Sequence, residues 1–340
     1  MDFLNSPDDN APALRDDRSG AFISYGELSA RAASWADTLA GGKALVFLFI
    51  PNSIDGAAAL LGAWRAGHSV ALLDPALGDE ARRGLLDAYA PEYVVAADDA
   101  GELAVARQSA GQPPHPDLAL LLSTSGSTGS PKFVRLTLGQ MRHNAEAIAD
   151  ALDIRAGEVG CAHLPLHYSY GLSVLTSHLA RGAPVLLTAR GFTDRDFWAA
   201  ARDAGVAHLP GVPFHFQMMQ RLRYERLNLP NLRVLTQAGG GLGVDARREA
   251  HRFMDERGGR FHVMYGQTEA APRMTTLAHE DFVLAPESVG APLRDGRFEI
   301  VGEDDRAVER GEAGLVVYHG PNVMWGYAES RSDLMLGDVQ

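Results

Sequence analysis

Cysteine is almost absent from this 340-residue sequence, in which Cys161 is the one example. A single cysteine cannot form an intramolecular disulfide, and it excludes CxxC metal sites. The composition therefore favours a protein of a reducing compartment, and we expect a cytoplasmic location. We expect Cys161 itself to be a small, buried, apolar residue, because its sequence context lacks the features of a nucleophile.

Positive charge and long apolar runs are also scarce. The chain has 31 Lys and Arg residues against 43 Asp and Glu residues, and its formal net charge is −12. We expect no nucleic-acid partner, because phosphate backbones require clustered positive charge. The most apolar run, residues 44–50, is far too short to span a bilayer. The acidic N-terminus lacks the basic start and apolar core of a signal peptide, so we expect no export signal.

The rest of the composition is ordinary for a globular protein, with 46% hydrophobic and 22% charged residues. The length suffices for two domains, or for one large α/β domain with an appendage. Short apolar strands alternate with amphipathic helices in two series, one before and one after about residue 183. This alternation predicts an α/β fold with parallel sheets covered by helices on both faces. From about Leu284, short strands and turn residues predict a small β subdomain.

Residues 123–129 (STSGSTG) consist of five Ser or Thr residues and two Gly residues, and Lys132 follows shortly afterwards. Composition alone would favour a flexible linker. However, the apolar run 118–122 predicts a buried strand before it, and residues 132–136 (KFVRL) predict another strand after it. The second strand leads into a helix whose start is marked by a capping box of Thr137 and Gln140. A linker does not fit between two tight strands, so we interpret the segment as a ligand-binding loop.

This loop matches neither of two common nucleotide-binding motifs. A Walker A loop needs GxxxxGK[ST] at the start of a helix, whereas Phe133 follows the lysine here. A Rossmann GxGxxG also opens a helix and is absent. Glycines that allow close backbone approach, several hydroxyl donors and the cation of Lys132 nevertheless suit a polyphosphate. We therefore expect the loop to bind phosphates.

The segment TSGSTGSPK, residues 124–132, resembles the phosphate-binding signature of the adenylate-forming enzymes. These include acyl-CoA synthetases, aryl-CoA ligases, peptide-synthetase adenylation domains and luciferases. The N-terminal region also resembles that of the family, so the resemblance covers nearly the whole chain. Further family motifs occur in the expected order: LPLHYSYGL (164–172), QAGGGL (237–242), MYGQTEA (264–270), SVGAP (288–292) and GPNVMWGYAE (320–329).

The resemblance implies two doubly wound, mainly parallel sheets with helices in αβαβα layers, plus a small β-barrel-like subdomain. The adenylate-forming core would occupy residues 1–283, as two related subdomains of roughly 1–182 and 183–283, and the β subdomain residues 284–340. The implied reaction joins a carboxylic acid and ATP into an acyl-adenylate with release of pyrophosphate, after which a thiol displaces AMP. The implied cofactors and partners are ATP, Mg²⁺, the acid, and CoA or the phosphopantetheine of an acyl carrier protein.

Charge is the main barrier to the first step, because an anionic carboxylate must approach an anionic phosphate. The resemblance implies that the glycine-rich loop and its lysine bind the β- and γ-phosphates. The implied phosphate-binding residues are Thr124, Ser125, Gly126, Ser127, Thr128, Gly129 and Lys132.

The motif MYGQTEA would supply most of the nucleotide site. By resemblance, Tyr265 stacks on adenine, Thr268 hydrogen-bonds the α-phosphate, and Glu269 binds Mg²⁺, a hard cation that prefers oxygen ligands. Together with Lys132, Thr268 and Glu269 are the expected catalytic residues. This motif and the QAGGGL turn both follow predicted strands, and open α/β sheets bind ligands at the carboxyl ends of strands. The expected adenine and AMP residues are Gly239, Gly240, Gly241, Tyr265, Gly266, Gln267 and Thr268.

The resemblance also implies a third group of residues, which would line the acyl pocket. Without the resemblance, a His and Tyr cluster beside Pro and Gly more often packs in a core, and Phe214 fits a plain helix start equally well. Alignment on Pro165 and Gly171 puts Tyr168 where many family members have His, which leaves open which residue controls access of the thiol. The expected acyl-pocket residues are His167, Tyr168, Tyr170, Gly171, Val212, Pro213, Phe214 and Gln237.

The acid is expected to lack an α-amino group. Family members that activate amino acids carry an Asp in the segment corresponding to residues 162–177, where it pairs with the ammonium of the substrate. This chain has no carboxylate in that segment. We therefore expect a fatty, aryl or similar acid.

Later family landmarks are missing from the sequence. The family has a TGD-type motif whose Asp binds ribose, followed by a hinge and a small C-terminal domain with the catalytic lysine. Gly337 and Asp338 lie too close to Gly326 to be that motif and lack the preceding Thr. We therefore expect this chain to be the large N-terminal domain, with weak activity or none. The alternatives are a non-catalytic module that binds a nucleotide or an acyl-adenylate, and an amino-acid adenylation domain.

Overall fold

Two large sheets and eight α-helices make up most of the part of the chain that the computed structural model describes, residues 3–4, 8–98, 102–108, 111–124, 132–304 and 306–338. The helices are α1 (Tyr25–Thr38), α2 (Ile54–Arg65), α3 (Asp79–Tyr89), α4 (Leu138–Leu152), α5 (Ser169–Leu179), α6 (Arg195–Asp203), α7 (Pro213–Leu222) and α8 (Val244–Asp255). The strands are β1 (Pro12–Asp16), β2 (Ile23–Ser24), β3 (Leu45–Phe49), β4 (Ser69–Leu73), β5 (Tyr93–Ala97), β6 (Leu103–Arg107), β7 (Leu118–Ser123), β8 (Phe133–Thr137), β9 (Val159–Ala162), β10 (Val185–Leu187), β11 (Val206–Gly211), β12 (Val234–Gln237), β13 (Arg260–Gly266), β14 (Arg273–Leu277), β15 (Ala291–Pro292), β16 (Arg297–Val301), β17 (Leu315–His319) and β18 (Tyr327–Ala328).

One sheet has seven strands in the order β18-β8-β7-β4-β3-β5-β6. The central pairs, β7–β4, β4–β3 and β3–β5, are parallel, and Phe47 lies opposite Ala71 in the β3–β4 register. Strands β6, β8 and β18 are antiparallel to their neighbours. The strand-to-strand connection predicted around the glycine-rich loop is confirmed, because β7 and β8 are antiparallel partners on either side of that loop.

The other sheet has nine strands in the order β15-β14-β13-β12-β11-β9-β10-β1-β2. Its six central strands, from β13 to β1, are parallel to one another. Strands β1, β2 and β9 come from the first half of the chain, so this sheet draws strands from both sides of residue 182. The sequence predicts that the core divides into two subdomains near residue 182. This division stays a prediction.

The helices occupy three layers, as the αβαβα prediction requires. Side chains of β3 alternate between two cores: Val46 and Leu48 join the core with α1, α2, α4 and α5, while Phe47 joins the core with Tyr89 of α3. Helices α6, α7 and α8 pack on the far face of the nine-stranded sheet, around buried residues such as Phe261. The order is therefore α3, seven-stranded sheet, central helices, nine-stranded sheet, outer helices, which confirms the predicted fold class.

The helix starts that the sequence marks most clearly form as expected. The side chain of Thr137 accepts from the amide of Gln140, whose own side chain accepts from the amide of Thr137, so the predicted capping box is present at α4. Cys161 lies in β9 and is fully buried, as predicted. In the described part of the chain, every helix is too short or too polar to cross a membrane.

The described part of residues 284–340 contains one separate antiparallel pair. Strands β16 and β17 pair with each other, with Glu299 opposite Val317. The two other short strands of this region extend the large sheets instead, β15 beside β14 and β18 beside β8. Two strands cannot close a barrel. The described residues therefore form an open hairpin where a barrel-like subdomain was expected.

Candidate active site

An open cavity of about 610 Å³ lies where β12 and β13 end and where α5 begins. Ligands of open α/β sheets bind at the carboxyl ends of parallel strands. The first residues of α5 also line the cavity, so the positive end of this helix dipole faces it. The cavity brings together twelve of the predicted site residues: Thr124, Tyr168, Tyr170, Gln237, Gly239, Gly240, Gly241, Tyr265, Gly266, Gln267, Thr268 and Glu269.

The glycine turn after β12 forms one wall of the cavity. Gly239 has φ +73°, which disfavours any residue with a Cβ, and a Cβ there would lie 2.4 Å from the hydroxyl oxygen of Tyr168. Nε2 of Gln237 donates a 2.8 Å hydrogen bond to the carbonyl of Gly240. The turn is therefore positioned by two residues that the sequence assigned to the acyl pocket, and glycine leaves its backbone open to a ligand.

The end of β13 forms the opposite wall. The ring of Tyr265 lines the cavity and is 42% exposed, so its face is available for stacking. A Cβ on Gly266 would lie 1.9 Å from the carbonyl oxygen of Pro272, which makes glycine obligatory in this turn. The hydroxyl of Thr268 lies 3.1 Å from that of Ser169, the first residue of α5. This contact joins the MYGQTEA motif to the helix that opens the cavity.

Glu269 is tied to the last described strand. The hydroxyl of Tyr327 in β18 donates a 2.8 Å hydrogen bond to Oε1 of Glu269, and the amide of Met324 donates to the carbonyl of the same residue. Nζ of Lys132 lies 3.5 Å above the centre of the Tyr327 ring, a cation–π distance. Burial and the contact with Glu269 raise the pKa of Tyr327 to about 12, so its hydroxyl stays protonated and remains a donor.

Five residues of the predicted phosphate loop are outside the part of the chain that the structure describes. Ser125, Gly126, Ser127, Thr128 and Gly129 lie outside the described residues, and their predicted contacts with phosphate stay predictions. The two described ends of the loop are close to the site, because Thr124 lines the cavity and Lys132 approaches Tyr327.

The predicted acyl-pocket residues divide into two groups. Tyr168 and Tyr170 line the cavity, and burial raises the pKa of both phenols, so both stay protonated. The side chains of Val212 and Pro213 pack against the glycine turn from behind, 3.0 Å and 3.2 Å from where Cβ atoms of Gly239 and Gly240 would be.

The second group lies away from the cavity walls. The ring of Phe214 is 55% exposed near the start of α7, which agrees with the plain helix start that the sequence left open. His167 lies 3.9 Å from a carboxylate oxygen of Asp74, and burial lowers the pKa of its imidazole. Gly171 is buried in α5, where a Cβ would lie 2.2 Å from the carbonyl oxygen of Pro165. Gly171 therefore allows close packing of α5 and does not contact the cavity.

The sequence reasoning missed three polar residues that line the cavity, namely Ser169, Arg247 and Arg273. Ser169 contacts Thr268, and the buried Arg273 follows the MYGQTEA motif at the start of β14. The guanidinium of Arg273 lies 3.9 Å from the centre of the Tyr170 ring. In the sequence, Arg273 stands directly before the run MTTL, which has the pattern of a buried strand. An arginine beside a buried strand is unusual and could have marked this position.

A divalent cation at this site would depend on few protein ligands. Among the described residues there is no group of three or more His, Cys, Asp or Glu side chains that could bind a metal ion. Mg²⁺ usually needs only one or two carboxylates when phosphate oxygens complete its shell. Glu269, a carboxylate on the cavity wall with its orientation fixed by Tyr327, fits that requirement.

A glycine cradle and a carboxylate share one cavity with three tyrosines, in an αβαβα fold. This combination indicates an enzyme that binds a nucleotide. Residues 5–328 match the family described as "AMP-binding enzyme", and the chain belongs to this family. It is thus an acid-activating, AMP-forming ligase of the acyl-CoA synthetase type.

Several known proteins are similar to the chain. It is 31% identical to feruloyl-CoA synthase of Amycolatopsis sp., across 96% of this chain and 71% of that protein. The crystal structure of VinN superposes with a TM-score of 0.80 at 25% identity, over 94% of this chain and 86% of VinN, which has also been solved with L-aspartate. ATP-bound MatB from Rhodopseudomonas palustris gives a TM-score of 0.81 at 22% identity, over 96% of this chain and 72% of MatB, and supports the fold.

Proposed function

We propose that the chain binds ATP at the Gly239–Gly241 and Tyr265–Glu269 end of the cavity and a carboxylic acid at the Tyr168 and Tyr170 end. The acid would attack the α-phosphate to give an acyl-adenylate and pyrophosphate, and a thiol of CoA or of a carrier protein would then displace AMP. The observation that carries this proposal is that both groups of residues line one continuous cavity.

The proposed roles follow from the charge of the reactants. Two anions must approach each other, so the cavity must present donors and cations where negative charge accumulates. We assign the α-phosphate to the hydroxyl of Thr268 and to the positive end of α5, which lies beside it. We assign the β- and γ-phosphates to Lys132 and the glycine-rich loop. Mg²⁺, bound by Glu269, would neutralise phosphate charge.

The acid is proposed to lack an α-ammonium group. Among the described residues that line the cavity, Glu269 is the one carboxylate, and it already accepts a hydrogen bond from Tyr327. No carboxylate is therefore available in the acyl part of the described cavity to pair with an ammonium. Feruloyl-CoA synthase is named for an acid without an amine, whereas VinN has been solved with an amino acid. The test therefore includes amino acids as alternative substrates.

The test combines binding and chemistry on the same chain. Calorimetry with ATP, AMP and a non-hydrolysable acyl-adenylate should show binding of all three. ATP–pyrophosphate exchange is then measured with a panel of aliphatic, aromatic, dicarboxylic and α-amino acids. Exchange that requires an acid without an α-amine supports the proposal. Binding without exchange by any acid indicates a non-catalytic adenylate-binding module, and exchange with amino acids alone contradicts the assigned substrate class.

A further inference from the structure

Arg273 carries a buried positive charge in the cavity wall. Its side chain is 3% exposed, and it forms no ion pair with any Asp or Glu side chain among the described residues. Its guanidinium contacts the sulfur of Met264 at 2.9 Å, the hydroxyl of Ser173 at 3.1 Å and the face of Tyr170. A thioether, a hydroxyl and a ring are weak partners for a buried cation, because burial removes its hydration.

The two other buried arginines of the described residues, Arg135 and Arg247, bond mainly to the main chain. Arg135 is fully buried and donates to main-chain carbonyls, among them those of Trp325 and Leu336. Arg247 donates to the carbonyls of residues 286 and 288. Backbone oxygens thus take the place of a carboxylate for both, although Arg247 also lines the cavity and Nε of each arginine has no hydrogen-bond partner. Among the described residues, the guanidinium of Arg273 differs in that it donates to no main-chain oxygen, and its partners are a thioether, a hydroxyl and a ring.

The main chain at Arg273 is firmly positioned. The side chain of Asn144 in α4 accepts a hydrogen bond from the amide of Arg273 and donates one to its carbonyl. Nδ2 of Asn322 donates to the same carbonyl. Burial lowers the pKa of Arg273, yet a guanidinium remains charged at physiological pH. The fold thus presents a fixed cation to the cavity.

Contacts along helix α5 show how far Arg273 lies from the nucleotide end of the cavity. Thr268, the proposed α-phosphate residue, contacts Ser169 at the start of α5, whereas Arg273 contacts Ser173. Four residues of α-helix advance about 6 Å. Around Arg273, the hydroxyl of Tyr170 also bonds to Thr236, so this deeper end is polar rather than a hydrocarbon-lined tunnel.

We propose that Arg273 binds the second carboxylate of a short dicarboxylic acid whose first carboxylate is adenylated. This inference rests on the proposed function and specifies its substrate class. A second carboxylate would supply the ionic partner that the buried guanidinium lacks, and its bidentate geometry matches the guanidinium. Ser169 and Ser173 are separated by about one turn of α5. This distance is similar to the separation of the two carboxylates in an acid of the size of succinate or glutarate.

The first experiment uses the unaltered chain. ATP–pyrophosphate exchange is compared between succinate and succinamate, and between glutarate and glutaramate, because each amide keeps the size of the acid and removes one charge. We expect kcat/KM to be at least on the order of 10-fold higher for the diacids. An equal or higher value for the monoamides, or for butyrate and valerate, overturns the proposal.

The second experiment uses Arg273→Met and Arg273→Lys. We expect Arg273→Met to lower kcat/KM for the diacids by on the order of 100-fold, to leave the monoamides within about threefold, and to keep ATP affinity unchanged. Arg273→Lys retains the charge and should keep part of the preference for diacids. Arg252→Met, at an exposed position of α8, is the charge-matched control and should behave like the unaltered chain.

The outcomes separate this inference from the proposed function. Equal loss for diacids and monoacids in Arg273→Met would mean that Arg273 binds the reacting carboxylate or supports the fold, and would overturn the inference alone. If the unaltered chain catalyses exchange with monoacids only, the inference about Arg273 is overturned and the proposed function is retained. Absence of exchange with every acid, together with no binding of the acyl-adenylate, would instead contradict the proposed function. If Arg273→Met does not fold, the comparison of acids on the unaltered chain decides.

Discussion

The hydroxyl of Tyr327 donates a 2.8 Å hydrogen bond to Oε1 of Glu269, across 58 residues of sequence. This bond connects β18, at the edge of the seven-stranded sheet, to the turn that follows β13 of the nine-stranded sheet. It fixes one oxygen of the proposed Mg²⁺ ligand and leaves the other oxygen available. The position of Glu269 therefore depends on the packing between the two sheets.

Tyr327→Phe removes this hydrogen bond and keeps the ring below Lys132. We expect the Mg²⁺ concentration for half-maximal ATP binding to rise roughly 10-fold, because groups that orient a metal ligand typically affect metal affinity by that amount or more. Binding at saturating Mg²⁺ should change little. The measurement is calorimetry with ATP over a Mg²⁺ series.

Tyr25→Phe is the matched control, because its hydroxyl donates to the carbonyl of Ala183 and does not line the cavity. We expect its Mg²⁺ dependence to equal that of the unaltered chain. If both variants shift equally, the effect is structural and Glu269 is not positioned by Tyr327 for metal binding.

Lys132→Ala should weaken binding of ATP by about 10-fold or more while changing AMP affinity little. The reason is that a charge-assisted contact to the β- and γ-phosphates contributes about 1.5–3 kcal/mol, and AMP lacks both groups. Lys132→Arg keeps the charge and should retain most of the ATP affinity. Equal losses for ATP and AMP in Lys132→Ala would contradict the assignment.

Local sequence signals account for most of the fold. Continuous apolar runs such as β3 and β4 predicted fully buried strands, and the capping box of Thr137 and Gln140 predicted the start of α4. These signals suffice because strand burial and helix capping depend on residues close together in sequence. The ordered motifs likewise predicted that the turns after β12 and β13 would form one site.

Non-local features could not be predicted in the same way. Strand β1 pairs with β10, where Leu14 lies opposite Val185, and nothing near either strand indicates that pairing. Helix α5 went unrecognised because it is buried all round, so it lacks the apolar-polar alternation of a surface helix. The sequence does not place Arg273 in the site, because Tyr170 and Ser173, which its guanidinium contacts, each lie about 100 residues away along the chain.

Gly239→Ala should disrupt nucleotide binding without preventing folding. Alanine at φ +73° costs about 1–2 kcal/mol, and its Cβ would lie 2.4 Å from the hydroxyl oxygen of Tyr168. The turn must shift, and we expect ATP and AMP affinity to fall by at least about 10-fold. Gly243→Ala is the control, because this glycine has φ −59° and no neighbour near its Cβ position. Equal nucleotide affinity in the two variants would show that the turn does not contact the nucleotide.

Three buried histidines should make the fold sensitive to mild acid. Burial lowers the pKa of His163, His178 and His262 to about 3, from an ordinary value near 6.5. Below pH 6.5 the unfolded chain binds protons at these positions that the folded chain excludes. Their contribution to stability is therefore full above pH 6.5 and is lost as the pH falls toward 3. Together they change the free energy of unfolding by up to about 4 kcal/mol per pH unit.

Urea unfolding at pH steps from 7.5 to 4.5 measures this slope. His178→Gln removes one of the three protons taken up on unfolding, so we expect the slope to fall by up to about 1.4 kcal/mol per pH unit. His319→Gln, at a position whose side chain is 41% exposed, is the control for the loss of an imidazole that is not buried. A free energy of unfolding that stays constant between pH 6.5 and 4.5 would mean that these imidazoles gain protons without unfolding, which their burial opposes.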